Sequence, residues 1–221
     1  MKPATYTELV SAVQAYAKRS DIIAADVDYL ITEVEEELNA RLRTRQQLTN
    51  LTPTVSSAGS VTLPADFAGW KRFVARDSST FWELEPITLE SQEDVNNSLT
   101  GSGKPATLYT LATAAQIWPY TDGVYTFRAF YFSKIPNLTS IAPTNWVLTN
   151  FPMTYVYGCL AAMRAYVMDD ERIDRWVSMF NRSIDRIEMV DAKERDARTH
   201  ARLTPNTTMF PGRGAGNIMD M

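Results

Sequence analysis

A single cysteine, Cys159, and a single histidine, His200, stand in a chain of 221 residues. One cysteine permits no intrachain disulfide, and one of each falls short of the ligands a Cys/His zinc site needs. A Ser/His or Cys/His nucleophile would have to use His200. That residue lies in a stretch without periodicity, where a base is not held within hydrogen-bond reach. Cys159 sits among apolar and small residues of a predicted helix and reads as core packing. A strongly basic block is missing too: 22 Lys and Arg stand against 26 Asp and Glu, a net charge of -4. Proteins that grip phosphates show a basic face, so tightly held DNA is not expected, whereas DNA passing nearby is allowed. The longest apolar stretches are broken by Asp, Arg or Lys short of membrane-spanning length. The opening MKPATYTELV is polar and has no apolar core of a signal peptide. A soluble, cytosolic protein with no membrane partner is expected, and no internal repeat is present.

Several apparent motifs dissolve on inspection. Gly101-Ser102-Gly103-Lys104 lacks the second glycine of a phosphate loop at the right spacing, and Pro105 follows the lysine where a helix would have to begin. Gly212-Arg213-Gly214-Ala215-Gly216 has no preceding strand and reads as tail. Glu35-Glu36-Glu37, with Glu33, could suggest a carboxylate pair. Neighbouring helical positions point in different directions, so the run reads as a solvated helix face. Asp169-Asp170-Glu171 reads as a helix end. No catalytic, cofactor-binding or metal-ligating residue is assigned, and the chain is not read as an enzyme.

Apolar residues make up 45% of the chain and charged residues 22%, proportions that exclude disorder along its whole length. Thr5 or Thr7 can cap a helix carrying Leu9, Val10, Val13, Tyr16 and Ala17 on one side, which Ser20 and Asp21 interrupt. A longer helix follows, with Val27, Leu30, Ile31, Val34, Leu38 and Leu42 at steps of three or four. From about Leu51 the character turns to short β-type runs. They are Val61–Leu63, Trp70–Ala75, Phe81–Leu84, Thr107–Leu111, Gln116–Trp118 and Val124–Phe132, with a polar turn at Asp77-Ser78-Ser79 and Asp122-Gly123 as the tightest hairpin signal. Leu89–Leu99 is a candidate short helix. The aromatics Tyr109, Trp118, Tyr120, Tyr125, Phe127, Phe130, Tyr131 and Phe132 read as core or subunit contact rather than a base-stacking platform. Asn145 or Thr149 can start a third helix with Phe151, Val156, Leu160, Met163 and Val167 inside. In it Gly158, Ala161, Ala162 and Ala165 allow a close neighbour. The last helix carries Ile173, Trp176, Val177, Phe180, Ile184, Ile187 and Val190 and fades into the charged run Asp191–Arg198. Thr199–Met221, rich in Gly and Pro, has lost periodicity.

The expected fold is therefore α+β. Packed amphipathic helices, two N-terminal (1–50) and two C-terminal (144–198), enclose an inserted small antiparallel β-module (51–143), and an extended tail follows (199–221). The order of these elements resembles the bacteriophage head-to-tail adaptor family, also described as tail accessory factors or connectors. The likeness is carried by Asp28–Arg43, an acidic-apolar helix ending in Asn39 and arginines, and by Leu63-Pro64-Ala65-Asp66-Phe67 leading into the first strands. It continues through Leu84-Glu85-Pro86-Ile87, Gly103-Lys104-Pro105-Ala106 with Tyr109, Gln116-Ile117-Trp118-Pro119, and Phe130-Tyr131-Phe132 with Ile135-Pro136-Asn137-Leu138. Asn145-Trp146-Val147-Leu148 with Pro152, Tyr155, Tyr157–Leu160 and Tyr166 is similar to the third helix of that family.

The resemblance, from about Thr5 to about Ile187, implies a structural subunit of the virion neck, made in the host cytoplasm. It implies partners in the portal protein, a tail or nozzle protein, and copies of itself in a dodecameric ring, with DNA passing through unheld. It carries no general catalytic residues and no cofactor. Two other classes stay open: a carboxylate-based cell-wall hydrolase, and a nucleic-acid-binding module. In the tail, Leu203, Met209, Phe210, Pro211, Ile218 and Met219 are too apolar for a solvated linker. They are the candidate portal-docking residues, with Phe210 as the main anchor.

Overall fold

The computed structural model describes residues 2–18, 22–56, 59–91, 101–165 and 172–200. Helix α1 (Tyr6–Ala17) starts at Thr5, whose hydroxyl accepts the Glu8 N–H, and ends at Lys18 in the left-handed region. It buries Leu9, Val10, Val13 and Ala17, while Tyr16 stays outside. Helix α2 (Ala24–Arg41) buries the expected stripe from Val27 to Leu38, and Leu42 follows it into the core. The third expected helix is two. Asn145 caps α3 (Trp146–Asn150), its side-chain oxygen accepting the Leu148 N–H. Pro152 then opens α4 (Pro152–Ala162), because a proline lacks the N–H that would continue α3 and suits a first helical turn.

Helix α4 is the centre of the body and packs against α1, α2, α3 and the last helix, α5 (Arg172–His200). Gly158 makes the approach possible. A Cβ there would stand 2.7 Å from a Val34 methyl on α2 and 2.9 Å from the Phe180 ring on α5. The final helix does not fade at Asp191. It runs on to His200, so that histidine ends a helix and does not lie in an aperiodic tail. Asp191 is buried and accepts the backbone N–H of Arg45 at 2.9 Å. That anchor explains why a charged run stays helical against the body.

The β-module has its own core between two four-stranded sheets. One is ordered β1-β10-β3-β4, from β1 (Leu48–Leu51), β3 (Phe67–Arg76), β4 (Phe81–Glu83) and β10 (Thr126–Ser133). The other is ordered β2-β8-β7-β5, from β2 (Ser60–Thr62), β5 (Glu85–Pro86), β7 (Thr107–Thr110) and β8 (Ala114–Trp118). Alternate residues point inward: Phe73 and Ala75, Phe127 and Ala129, Ala115 and Ile117. The pairing is not purely antiparallel. β5 joins β7 in parallel, and β6 (Ser102–Gly103) joins β9 (Tyr120–Thr121) in parallel. Asp122-Gly123 is not a hairpin turn either, since β9 just before it pairs with β6 and β10 just after it pairs with β1 and β3. The hairpin of this region is β7–β8, closed by the Leu111 N–H on the Ala114 carbonyl. Asp77 does make its expected turn, accepting the N–H groups of Ser79 and Thr80 at 2.7 Å. Those two donors hold its carboxyl down at about 2. Leu89–Leu99 falls largely outside the described residues.

Strand β1 was invisible in the sequence pattern, and it matters for the layout. It pairs with β10 in the register Leu48↔Phe132 to Leu51↔Ala129, so the module leaves and rejoins the body side by side. Gln47 and Ser133 seal that junction through Ser133 Oγ on the Gln47 carbonyl at 3.0 Å and Gln47 Nε2 on the Ser133 carbonyl at 3.3 Å.

Candidate assembly surfaces

The acidic run on α2 splits by helical phase. Glu35 is not solvated: it is 3% exposed, inside the apolar core of the body. Its Oε1 accepts the Leu138 N–H at 2.7 Å and the Tyr155 hydroxyl at 3.3 Å. Tyr155 in turn accepts from Asn145 Nδ2 at 2.7 Å, and that amide also donates to the Pro136 carbonyl. The network clamps the segment between β10 and α3 onto α2 and α4. Burial pushes the Glu35 carboxyl up to about 7 against the relief of its two donors, and burial with Glu35 nearby raises Tyr155 and Cys159. Cys159 is fully buried, which leaves its thiol protonated and unreachable. These three groups are interior packing, not a reactive site.

Glu33, Glu36 and Glu37 are exposed. Glu37 meets Arg41 one turn on, at 3.4 Å. Glu33 and Glu36 share an outward stripe with Tyr29 and Ala40, opposite the buried line of Val27, Ile31, Val34 and Leu38. Tyr29 is 69% exposed. Helix α5 shows a second stripe of the other sign. Arg175, Arg182, Arg186, Met189 and Lys193 follow at steps of seven, four, three and four on the side opposite Phe180, Ile184 and Ile187, and all five are exposed. Asp174 and Asp185 lie on its flank. Arg182 and Arg186 make no hydrogen bond or ion pair among the described residues. Beside them a groove with Lys2, Phe151, Tyr157 and Met179 contains no acid. Whole-chain charge hid this stripe, because the same helix carries its acids on other faces; a helical projection of 172–195 would have found it.

The aromatics of the β-module divide. Trp118, Phe127 and Tyr131 are buried, and Tyr131 donates to Asp66 at 3.1 Å. Tyr120 is exposed. Phe81 and Val124 project at one end of the module, 72% and 97% exposed. Lys104 lies over the Trp82 ring, 3.8 Å from its centroid, so the glycine-lysine loop stacks a cation on an indole. Leu203, Met209, Phe210, Pro211, Ile218 and Met219 lie outside the described residues. Among the described residues no group of three or more His, Cys, Asp or Glu side chains could hold a metal ion. No helix among them is long and apolar enough to cross a membrane.

No curated protein matches the chain in sequence. The family model described as SU10 adaptor protein matches residues 4–208, which takes in α1, the whole β-module and α5. With helices at both ends, small mixed sheets between them and two separate cores, the chain belongs to the SU10 adaptor protein family of phage adaptors.

Proposed function

We propose that this phage adaptor joins the portal to the tail as a ring in the virion neck, continues the DNA channel, and performs no chemistry. The family match across nearly the whole chain carries the reading. The helical body, residues 1–50 with 144–198, forms the ring. The β-module, 51–143, adds a contact surface, and the tail beyond His200 reaches the portal. A net charge of -4 suits a conduit, since DNA slides past a surface that does not neutralise its phosphates. The tail residues Leu203, Met209, Phe210, Pro211, Ile218 and Met219 supply apolar anchors whose small individual affinities multiply around a closed ring. A dodecamer is the stoichiometry this reading takes.

Electron microscopy of the purified chain mixed with portal tests the proposal. The expected result is a ring beneath the portal with an open axis. Portal particles that remain bare at saturating concentrations of the chain would refute it. Cell-wall hydrolysis by the pure protein, lost on replacing one of Glu33, Glu36 or Glu37 by Gln, would favour the hydrolase reading instead.

A further inference from the structure

The two outward stripes on the helical body match each other. On α2, Tyr29, Glu33 and Glu36 follow at steps of four and three. On α5, read backwards, Met189, Arg186 and Arg182 follow at steps of three and four. Each triplet spans seven residue steps, about 10 Å of helix. An antiparallel approach of the two faces sets Tyr29 against Met189, Glu33 against Arg186 and Glu36 against Arg182. One molecule does not make these contacts with itself: Glu33 and Glu36 edge a groove whose α5 wall is Val177, Phe180 and Asn181, whereas Arg182 and Arg186 line a different groove with Phe151 and Tyr157.

We propose that copies of this chain associate head to tail, the Tyr29–Glu33–Glu36 face of α2 docking antiparallel on the Met189–Arg186–Arg182 face of α5 in the next copy. The proposal rests on the ring reading above and gives it an interface. A cyclic assembly needs two unlike surfaces on each subunit, and these two are unlike in sign. Neither stripe spends its charges in an internal ion pair: Glu33, Glu36, Arg182 and Arg186 make no hydrogen bond or ion pair among the described residues. The exposed apolar member of each, 69% for Tyr29 and 56% for Met189, ends as a sulfur–aromatic contact. The ion pairs select the register and repel the symmetric arrangements, α2 on α2 and α5 on α5, in which like charges would meet.

Disulfide trapping of the full chain at low ionic strength tests this. The variant with Tyr29→Cys and Met189→Cys should give a ladder of oligomers on oxidation, and buried Cys159 does not compete. Each single-cysteine variant alone should give only background dimer. In the double-cysteine background, Glu33→Lys with Glu36→Lys, or Arg182→Glu with Arg186→Glu, should each lower the yield at least tenfold. An equimolar mixture of the two charge-reversed proteins should restore it. Absence of the 29–189 bond overturns the proposal, whether or not a ring forms on the portal. So does a yield indifferent to charge reversal. In that case, duplex DNA binding lost with Arg182→Glu and Arg186→Glu would mark the α5 stripe as a phosphate-binding face. A portal-bound ring lacking the bond refutes this interface and leaves the adaptor reading standing. A ladder without any portal ring does the reverse.

Discussion

Glu35 is a carboxyl group whose solvation has been replaced by one backbone N–H and one phenol. In the unfolded chain it releases its proton near its ordinary value of 4.5, whereas in the folded chain it keeps the proton up to about 7. Between those values the unfolded state binds fewer protons, so folding loses stability as pH rises. The contribution of this group is full below pH 4.5 and gone above about 7, a swing of about 3 kcal/mol. Glu35→Gln keeps the acceptor oxygen and removes the titration. Urea unfolding at pH 4.5 and pH 8 should show the variant gaining on the wild type by about that amount at the higher pH. A constant difference between the two proteins would show that Glu35 does not titrate in this window. Gly158 acts through shape instead. Its neighbours Val34 and Phe180 are packed side chains of two different helices, so Gly158→Ala forces α2 or α5 outward. The expected loss is about 1–3 kcal/mol, which lowers the melting temperature by roughly 2–4 °C per kcal/mol in a chain of this size. An unchanged melting curve would mean the helices yield without strain.

Among the elements, α5 shows how a polar side chain extends a helix past its apolar stripe. Asp191 accepts from Arg45, in the turn between α2 and β1, and Arg195 reaches it from one turn on, at 3.3 Å. Arg45 also pairs with Glu194. Asp191→Ala leaves a partly buried N–H without its acceptor, a loss of about 1–3 kcal/mol. Hydrogen exchange should quicken at Arg45 and along 188–195 while α4 stays protected; uniform protection would place the anchor elsewhere. The sequence pattern reached the helices because a 3.6-residue period is local, and the Val27–Leu42 stripe falls where it was expected. It missed the end of α5 because a charged run carries no apolar period, and it missed the sheet partners because pairing is non-local. Asp122-Gly123 has turn residues, yet no local rule says that the strands beside it pair elsewhere. Glu35 was misread for a related reason. Its period places it at the edge of the solvated face, and the segment that covers it, at Leu138, lies 103 residues away. The paired stripes of α2 and α5 were legible in principle, since each needs only a helical projection. The docking residues of the tail rest on composition alone.

At the scale of the whole molecule, the adaptor reading divides labour between a rigid body and the tail. Since α5 runs through His200, a clean truncation removes residues 201–221, not 199–221. That protein should keep its circular dichroism spectrum and stay soluble, and it should fail to bind portal by sedimentation. Phe210→Ala in the full chain should weaken binding less, since one buried Phe side chain is worth roughly 1.5–3 kcal/mol. Wild-type attachment by the truncated protein would give the docking role to the helical body.

The stem formed by β1 and β10 has a further consequence. Leu48 and Phe132 face each other across one strand spacing, about 5 Å, so everything between them is a closed excursion from the body. Its own core, from Val61 to Ala129, is separate from the helical one. The entropy of closing such an excursion grows only with the logarithm of its length. An excursion twice as long, or half as long, would therefore still meet the body across the β1–β10 stem. Exchanging this excursion for one of another length is expected to leave the packing of α1, α2, α4 and α5 unaltered.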